Sequence, residues 1–269
     1  MRREGYLAEP APAKLNLALH VRGRLPDGRH ALETLFAFCV DGDRIEGAVA
    51  DTLSLDCGGH FAGAIDGDNL VMVAARALQA AAGVEVGAAL RLTKNLPVAS
   101  GIGGGSADAA AALRLLTRLW GIDPAHASAV APGLGADVPA CLLSMTARGS
   151  GAGDALELVD AGVAGTPVLL VNPLVGLSTR AVFAAWDGVD RGPLGEWRAG
   201  RNDLEVPARA LVPAIGDILD WLGQQRGAGF VRMSGSGATC FGLFDDEGAR
   251  DAAAAACPAT WWHLATHLR

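Results

Sequence analysis

A run of glycines directly before an alanine-rich stretch places the tightest constraint on the fold. The stretch GIGGGSADAAAALRLL has glycine at Gly101, Gly103, Gly104 and Gly105, and its helical spacing continues up to Gly121. Glycine costs about 0.5–1 kcal/mol relative to alanine inside regular structure, so such a cluster indicates tight turns or a backbone that a ligand approaches closely. Because the first turn of a helix has unpaired N–H groups and a partial positive charge, the pattern favours a phosphate-binding loop.

The composition predicts a globular cytoplasmic protein with neither nucleic acid nor membrane as a partner. Of the 269 residues, 51% are hydrophobic, and the net charge is −7, which argues against a polyanionic surface as the main partner. The first residues lack the apolar run of a signal peptide, and no segment has the roughly 18 apolar residues of a membrane span. The five cysteines lie far apart without metal-ligand spacing, so we expect reduced thiols and no protein-held metal.

Strand and helix patterns alternate irregularly along the chain, which predicts an α+β fold rather than a doubly wound parallel sheet. Alternation over 13–21 predicts a half-buried strand with Lys14, Asn16 and His20 on its polar face. The other predicted strands are 31–40, 52–57, 88–93, 168–171, 229–233 and 238–244. The predicted helices are 69–82, the segment after the glycine loop, 178–186, 203–223 and 246–256.

The glycine loop matches no phosphate loop of the commonest classes. A Walker A loop requires Gly-Lys-Ser/Thr, whereas Gly105 is followed directly by Ser106. A dinucleotide fingerprint requires a third glycine where Ser106 stands, and the protein-kinase motifs are absent. By themselves the glycines leave two interpretations open, a phosphate loop or close packing of a helix on a sheet.

Four segments taken together resemble the GHMP small-molecule kinases, in that family's order and spacing. They are PAKLNLALHVRGRLPDGRH at 12–30, KNLPVASGIGGGSADAAAAL at 94–113, GADVPACLL at 135–143 and RMSGSGATCFGLF at 232–244. The resemblance implies a two-domain fold, with an N-terminal ATP-binding domain like ribosomal protein S5 domain 2 and a ferredoxin-like C-terminal domain. We expect these domains at 1–152 and 153–269.

The resemblance also implies a reaction. The γ-phosphate of ATP, bound with Mg²⁺ and without a prosthetic group, would pass to the 2-hydroxyl of a cytidyl diphosphate methylerythritol, a step of non-mevalonate isoprenoid synthesis. Two alternatives stay open at this point: another GHMP kinase with a mevalonate-like, sugar or amino-alcohol substrate, and a nucleotide or metabolite sensor without turnover on the same fold.

The resemblance implies a catalytic pair. Asp137 would be the general base that accepts the proton of the attacking hydroxyl, and Lys14 would keep that carboxylate ionised and offset charge on the moving phosphoryl group. In isolation, Asp137 is equally the N-cap of a helix that has proline in its first turn. A lone lysine on the polar face of a strand is most often solvated. Asn16 would bind substrate, whereas His20 is expected to be structural.

ATP contacts are expected from the glycine loop, with Ser106 supplying a hydroxyl near the helix start, and from two residues outside it. The expected set is Pro97, Val98, Ala99, Ser100, Gly101, Ile102, Gly103, Gly104, Gly105, Ser106, Ala107, Asn69 and Lys94.

The cytidine end of the substrate has its own expected residues. The resemblance implies that His30 hydrogen-bonds the base edge, that Phe183 stacks on the ring, and that Gly235 in the turn SGSG closes the site. That turn is equally compatible with a plain hairpin. The family reads PDGYH where this chain reads PDGRH. Arg29 therefore replaces a tyrosine, and a guanidinium can stack on a base or reach the substrate diphosphate.

Overall fold

The structure is a computed structural model that describes residues 6–64 and 69–269. The strands in this part of the chain are β1 (Leu7–Arg24), β2 (His30–Ala50), β3 (Ser54–Gly58), β4 (Gly87–Thr93), β5 (Ala147–Ser150), β6 (Ala155–Leu158), β7 (Pro167–Asn172), β8 (Ala228–Met233), β9 (Cys240–Phe244) and β10 (Trp262–His267). The helices are α1 (Leu70–Ala82), α2 (Gly104–Trp120), α3 (Pro124–Leu134), α4 (Val138–Leu143), α5 (Thr179–Ala184), α6 (Glu205–Leu211), α7 (Ala214–Gly223) and α8 (Glu247–Ala255). None of the helices in these described ranges is both long and apolar enough to pass through a lipid bilayer.

The chain forms two compact units that interleave along the sequence. The first contains the described residues up to Ala13 together with Asp41–Val98 and Gly103–Ser144. The second contains Lys14–Val40, Ala99–Ile102 and Met145–Arg269. The long strands β1 and β2 contribute residues to both units. A domain boundary after residue 152 stays a prediction, since these units describe compactness alone.

The first unit packs helices against a mixed sheet. Strand β4 pairs with β3 in parallel and with β2 in antiparallel. Helix α1 begins at Asn69, whose side chain accepts a hydrogen bond from the backbone N–H of Val71, and it ends at Gly83 in the left-handed conformation. Helix α2 buries a run of small residues along most of its length and ends at Gly121, also left-handed. The two helices end at the glycines where the sequence patterns predict their ends.

The second unit contains an antiparallel sheet in the order β10-β7-β9-β8. Strands β5 and β6 form a further antiparallel pair, with β5 hydrogen-bonded to the first part of β2. The core of this unit joins Leu169 and Val171 of β7 to Ile215, Ile218 and Leu222 of α7. The predicted α+β class is therefore confirmed. Strands β5 and β6, of four residues each, escaped prediction because they are short, and β10 was not predicted either.

Two predictions about individual elements are wrong. Strand β1 is buried on both faces over residues 11–21, with Lys14 and Asn16 each 3% exposed. Polar side chains on that face meet other polar groups instead of water. The single helix predicted over 203–223 is two helices, α6 and α7, that meet at Pro213. Proline has no N–H for the helical ladder and its ring collides with the preceding turn, which ends α6.

Candidate active site

A chain of hydrogen bonds holds Lys14 in the interior of the second unit. The Lys14 ammonium donates to Asn16 Oδ1 at 2.8 Å. Asn16 Nδ2 donates to Thr34 Oγ1 at 2.8 Å, and that hydroxyl donates to the Ala18 carbonyl at 2.6 Å. The ammonium also lies 5.6 Å from the centre of the Phe36 ring. Because a buried charge is tolerated only with polar partners, this chain fixes where the cation sits.

His20, on the same strand, has a structural role. Its Nδ1–H donates to the Gly192 carbonyl at 3.1 Å, and its Nε2 accepts from the backbone N–H of Arg201 at 3.2 Å. These two partners determine the tautomer and leave neither ring nitrogen for a substrate. The contacts support the expectation that His20 is structural.

The SGSG turn is tied to the same strand. Ser234 Oγ accepts from the backbone N–H of Asn16 at 3.1 Å and donates to the Gly101 carbonyl at 3.1 Å. Asn202 Nδ2 donates to the carbonyls of Met233 and Gly235, both at 2.8 Å. The turn is therefore more than a hairpin connection, because it joins β1, Asn202 and one part of the glycine loop.

Close contacts with neighbouring atoms explain why two positions of the site are glycine. Gly235 has φ +56°, and a Cβ there would lie 3.0 Å from Asn16 Oδ1 and 3.0 Å from the Gly101 carbonyl oxygen. Gly101 has φ +78°, and its Cβ would lie 2.6 Å from the Gly237 oxygen and 2.7 Å from the Ser234 oxygen. Both positions combine a left-handed backbone with no room for a side chain, so only glycine fits.

The start of α2, in the first unit, has the features of an anion site. Gly103 occupies the N-cap position in the left-handed conformation and offers no side chain to the free N–H groups of the first turn. Nothing lies within 4 Å of a Cβ built on Gly105, which is exposed. Open space in front of unpaired N–H groups at a helix start suits a phosphate.

Lys94 lies next to the first turn of α2, in a buried cluster of charged side chains. Its ammonium donates to Asp43 Oδ2 and to Asp108 Oδ2, the latter at 2.7 Å, and it is 3% exposed. Asp43 Oδ1 accepts from the backbone N–H of Leu96 at 2.8 Å. A Cβ on Gly104 would lie 3.0 Å from the ammonium. The cluster therefore packs against the first turn of α2. A direct contact between Lys94 and ATP stays a prediction.

The single positive charge of Lys94 cannot neutralise both Asp43 and Asp108 in the protein interior. Burial raises the pKa of Asp108 from 3.8 to about 7, with Lys94 lowering it and Asp43 raising it again. Asp108 Oδ1 is buried without a hydrogen-bond partner. Asp108 is therefore the carboxyl of this cluster whose pKa lies close to neutral pH.

Asp137 lies at the start of α4 and does not cap it. The residue occupies the N-cap position, and its side chain makes no capping hydrogen bond. Its backbone carbonyl accepts from the backbone N–H of Cys141 at 3.0 Å. The interpretation of Asp137 as a mere helix cap therefore loses its support. Lys14 belongs to the second unit and Asp137 to the first, so their pairing stays a prediction.

Two of the residues expected at the cytidine end, His30 and Phe183, contact each other in the second unit. The rings of His30 and Phe183 are stacked, with centroids 4.5 Å apart and planes at 26°. Trp186 meets His30 edge-on, with centroids 5.8 Å apart. Burial, and to a smaller degree Arg24, lowers the pKa of His30 below 6.5, so the imidazole is neutral at pH 7. The cluster is thus aromatic, with a histidine whose pKa is lowered.

Arg29 is held beside this cluster by two carboxylates. Its guanidinium pairs with Asp27 at 2.8 Å and with Asp154 at 3.2 Å. The hydrogen bonds from Arg29 hold the pKa of Asp27 below 3.8. Half of the Arg29 side chain is exposed, so solvent weakens both ion pairs and the guanidinium can turn towards a ligand.

Asn69 caps α1 and also donates from Nδ2 to Cys57 Sγ at 3.7 Å. Both polar atoms of its amide group therefore have partners within the protein. Its contact with the nucleotide stays a prediction.

Comparisons with known proteins show to which family the chain belongs. The family model for the N-terminal domain of GHMP kinases matches residues 69–145, and that for the C-terminal domain matches residues 189–262. A protein of Rhizorhabdus wittichii named 4-diphosphocytidyl-2-C-methyl-D-erythritol kinase is 54% identical over 97% of this chain and 94% of the relative. One of the same name in Novosphingobium aromaticivorans is 52% identical over 98% of this chain and 93% of the relative. The chain belongs to the 4-diphosphocytidyl-2-C-methyl-D-erythritol kinases, a family of GHMP kinases.

Solved structures agree with this family. A crystal structure of 4-(cytidine 5'-diphospho)-2C-methyl-D-erythritol kinase is 33% identical and covers 97% of this chain and 99% of its own, with a TM-score of 0.84. A homoserine kinase from Cytophaga hutchinsonii, at 17% identity and a TM-score of 0.71, shares the fold. The chain is therefore an ATP-dependent small-molecule kinase with the two-domain GHMP fold that the sequence predicts.

Sequence reasoning missed several residues that shape the site of this kinase. Asp43 and Asp108 hold Lys94, Asn202 holds the SGSG turn, and Trp186 completes the aromatic cluster. Isolated aspartate, asparagine and tryptophan residues carry no local pattern. A buried carboxylate in the first turns of α2 was the one available signal, because Asp108 lies on a helix that is otherwise lined by alanine.

Proposed function

We propose that this kinase transfers the γ-phosphate of ATP to the 2-hydroxyl of 4-diphosphocytidyl-2-C-methyl-D-erythritol, in non-mevalonate isoprenoid synthesis. The observation that carries the proposal is the 54% identity over 97% of the chain to a relative of that name. The stacked pair of His30 and Phe183 supports it independently, because a substrate without a nucleobase has no use for two flat rings.

Asp137 accepts the proton of the attacking hydroxyl. A phosphoryl transfer needs a positioned group for that proton and positive charge near the moving phosphoryl group. The absence of a capping hydrogen bond at Asp137 supports this role. Lys14, held by Asn16, supplies the charge without the entropic loss of ordering a mobile lysine, and Asn16 orients it while binding substrate.

The glycine loop from Pro97 to Ala107 binds the ATP phosphates. The N–H groups at the start of α2 and the hydroxyl of Ser106 face the anion, while Lys94 supports the loop. A magnesium ion bound with ATP would neutralise charge on the phosphates. In the described residues no three or more His, Cys, Asp or Glu side chains are gathered for a metal. Mg²⁺ usually keeps several waters and binds substrate phosphates, so it would need few protein ligands here.

The cytidine lies against His30 and Phe183, and Arg29 contributes from the turn beside them. Because the Arg29 ion pairs are half exposed, the guanidinium can leave them for the substrate diphosphate or the face of the base. We place the reaction in the cytoplasm, where ATP is available and where the five cysteines remain reduced, as they are in this structure.

An assay of ADP release tests the proposal. Mg-ATP is combined in turn with the cytidyl methylerythritol substrate, its uncytidylated 4-phosphate, mevalonate, homoserine and galactose. We expect turnover with the cytidyl compound alone. Turnover with another member of the panel would assign the chain to a different GHMP reaction. A folded protein that binds ATP but releases no ADP with any of them would favour a sensor.

A further inference from the structure

The aromatic cluster of His30, Phe183 and Trp186 contains two buried polar atoms without partners. His30 Nε2 and Trp186 Nε1 are shielded from solvent, and neither makes a hydrogen bond. Within residues 6–64 and 69–269, Asp108 Oδ1 is the one other buried side-chain atom in that condition. A buried polar atom without a partner costs free energy, and a ligand that supplies the partner recovers it.

The two atoms come from two segments that pack together. Phe183 is in the last turn of α5, and Trp186 follows it, with its backbone N–H donating to the Phe183 carbonyl at 3.3 Å. His30 begins β2, and its ring lies against both aromatic side chains, stacked on Phe183 and edge-on to Trp186. The cluster therefore combines stacked aromatic rings with two buried polar atoms that have no partner.

The chemistry of the two atoms is complementary to a pyrimidine edge. The indole N–H of Trp186 is always a donor. His30 Nε2 in a neutral imidazole donates or accepts according to the tautomer, so it adapts to its partner. Cytosine offers the acceptors O2 and N3 beside a donor amino group. An obligate donor next to an adaptable group can thus match two adjacent positions of that base.

We propose that Trp186 is a specificity-determining residue of this kinase, whose indole N–H donates to a ring acceptor of the cytosine while His30 Nε2 makes the neighbouring contact. The inference rests on the proposed function, which it deepens. In this structure the imidazole lies where a base would stack on Phe183. Binding therefore moves the imidazole from the face of Phe183 to the edge of the base, and both buried atoms gain partners.

The test is the variant Trp186→Phe, which keeps an aromatic ring and removes the donor. Binding of CMP is measured by calorimetry. We expect its Kd to rise by about 3- to 10-fold, the effect of one hydrogen bond. The KM of the cytidyl substrate should rise with it, while kcat and the KM of ATP stay unchanged. The control is Trp221→Phe, in a tryptophan that meets Trp261 edge-on, and it should bind CMP like the wild type.

An unchanged Kd for CMP in Trp186→Phe would overturn the inference and leave the proposed function intact. A wild type that binds no CMP and does not turn over the cytidyl substrate would overturn both. A second measurement covers a variant that folds poorly. In wild-type protein labelled with ¹⁵N-tryptophan, one of the six indole N–H signals should move downfield on addition of CMP. If all six stay in place, Trp186 does not donate to the base.

Discussion

Asp137 occupies an N-cap position, and its carboxylate makes no capping hydrogen bond. Asp123 provides the contrast, since its side chain accepts a hydrogen bond from the backbone N–H of Ala125 at 2.8 Å at the start of α3. Both residues are aspartates just before a proline-containing first turn. Only Asp123 uses its side chain for the helix, so the two residues form a natural pair for mutagenesis.

We expect Asp137→Asn to lower kcat by about 10²- to 10⁴-fold, since the amide cannot accept the proton of the hydroxyl. The affinity for a non-hydrolysable ATP analogue should be unchanged. Asp123→Asn is the matched control and should keep full activity, because asparagine caps a helix as well as aspartate does. Steady-state kinetics with the cytidyl substrate provide the measurement. An active Asp137→Asn enzyme would rule out the general-base role.

Asp108 makes the stability of the protein depend on pH. Its pKa in the folded state is about 7, raised by burial from 3.8. Between these values the folded protein binds a proton that the unfolded chain has released. The free energy of unfolding therefore falls as the pH rises through this range, and it levels off above the folded-state pKa.

The variant Asp108→Asn should lose that dependence. From pH 5 to pH 7, the free energy of unfolding of the wild type should fall by roughly 2 kcal/mol more than that of the variant, since one pKa unit corresponds to about 1.4 kcal/mol. Urea unfolding at several pH values measures the difference, with Asp123→Asn as the control substitution. Parallel profiles for wild type and Asp108→Asn would show that Asp108 does not hold the proton.

At the scale of elements, the glycine loop combines two different requirements for glycine. Gly101 has a left-handed backbone and touches the backbone of the SGSG turn. Gly105 lies in the first turn of α2, exposed and with nothing near a Cβ position. At Gly101, contacts within the protein leave no room for a side chain. The second glycine has no such packing requirement, and phosphate binding there is the proposal that a substitution can test.

Alanine substitutions separate the two requirements. Gly101→Ala should lower the free energy of unfolding by about 1–3 kcal/mol, because the new Cβ collides with backbone atoms. Gly105→Ala should leave stability unchanged or raise it by up to about 1 kcal/mol, and it should raise the KM of ATP several-fold, since the methyl group stands where a phosphate approaches. Urea unfolding and ATP kinetics measure both effects. A normal KM of ATP in Gly105→Ala would contradict phosphate binding at that residue.

Elements with local signals were predictable from the sequence. Helices α1 and α2 carry caps and stops that only need the neighbouring residues, Asn69, Gly83 and Gly121. The burial of both faces of β1 depends on residues such as Thr34 and Ser234, far away in sequence. Alternation shows which residues share a face of a strand, but not what covers that face.

The same difference holds for the site. His30 and Phe183 stand in motifs, so the sequence could predict that they belong to one site, and the structure brings the two rings into contact. Asp43, which holds Lys94, lies 51 positions earlier in the chain and stands in no recognisable pattern. Partners of this kind are determined by the tertiary fold, and a single sequence carries no record of them.

At the scale of the whole molecule, all five cysteines, which lie in the described residues, are free thiols. Cys39, Cys141 and Cys240 are buried, and burial raises the pKa of Cys240 well above its ordinary value. Burial also raises the pKa of the partly exposed Cys57 and Cys257. Since the thiolate is the reactive form, the folded protein should react slowly with thiol reagents.

Labelling with Ellman's reagent at pH 7.5 should therefore modify at most two thiols of the native protein, slowly, and all five in denaturant. The reducing agent dithiothreitol should leave the melting temperature unchanged, because no disulfide contributes to stability. Rapid reaction of three or more thiols in the native state would contradict the burial of Cys39, Cys141 and Cys240.

The burial of β1 on both faces gives this strand a practical use. Residues 11–21 offer almost no surface to solvent in the folded protein. An antibody raised against the peptide PAKLNLALHV has no epitope to bind until the chain opens. Such a serum would report misfolded kinase in cell extracts, and its signal should fall when ligands that bind the native state are added.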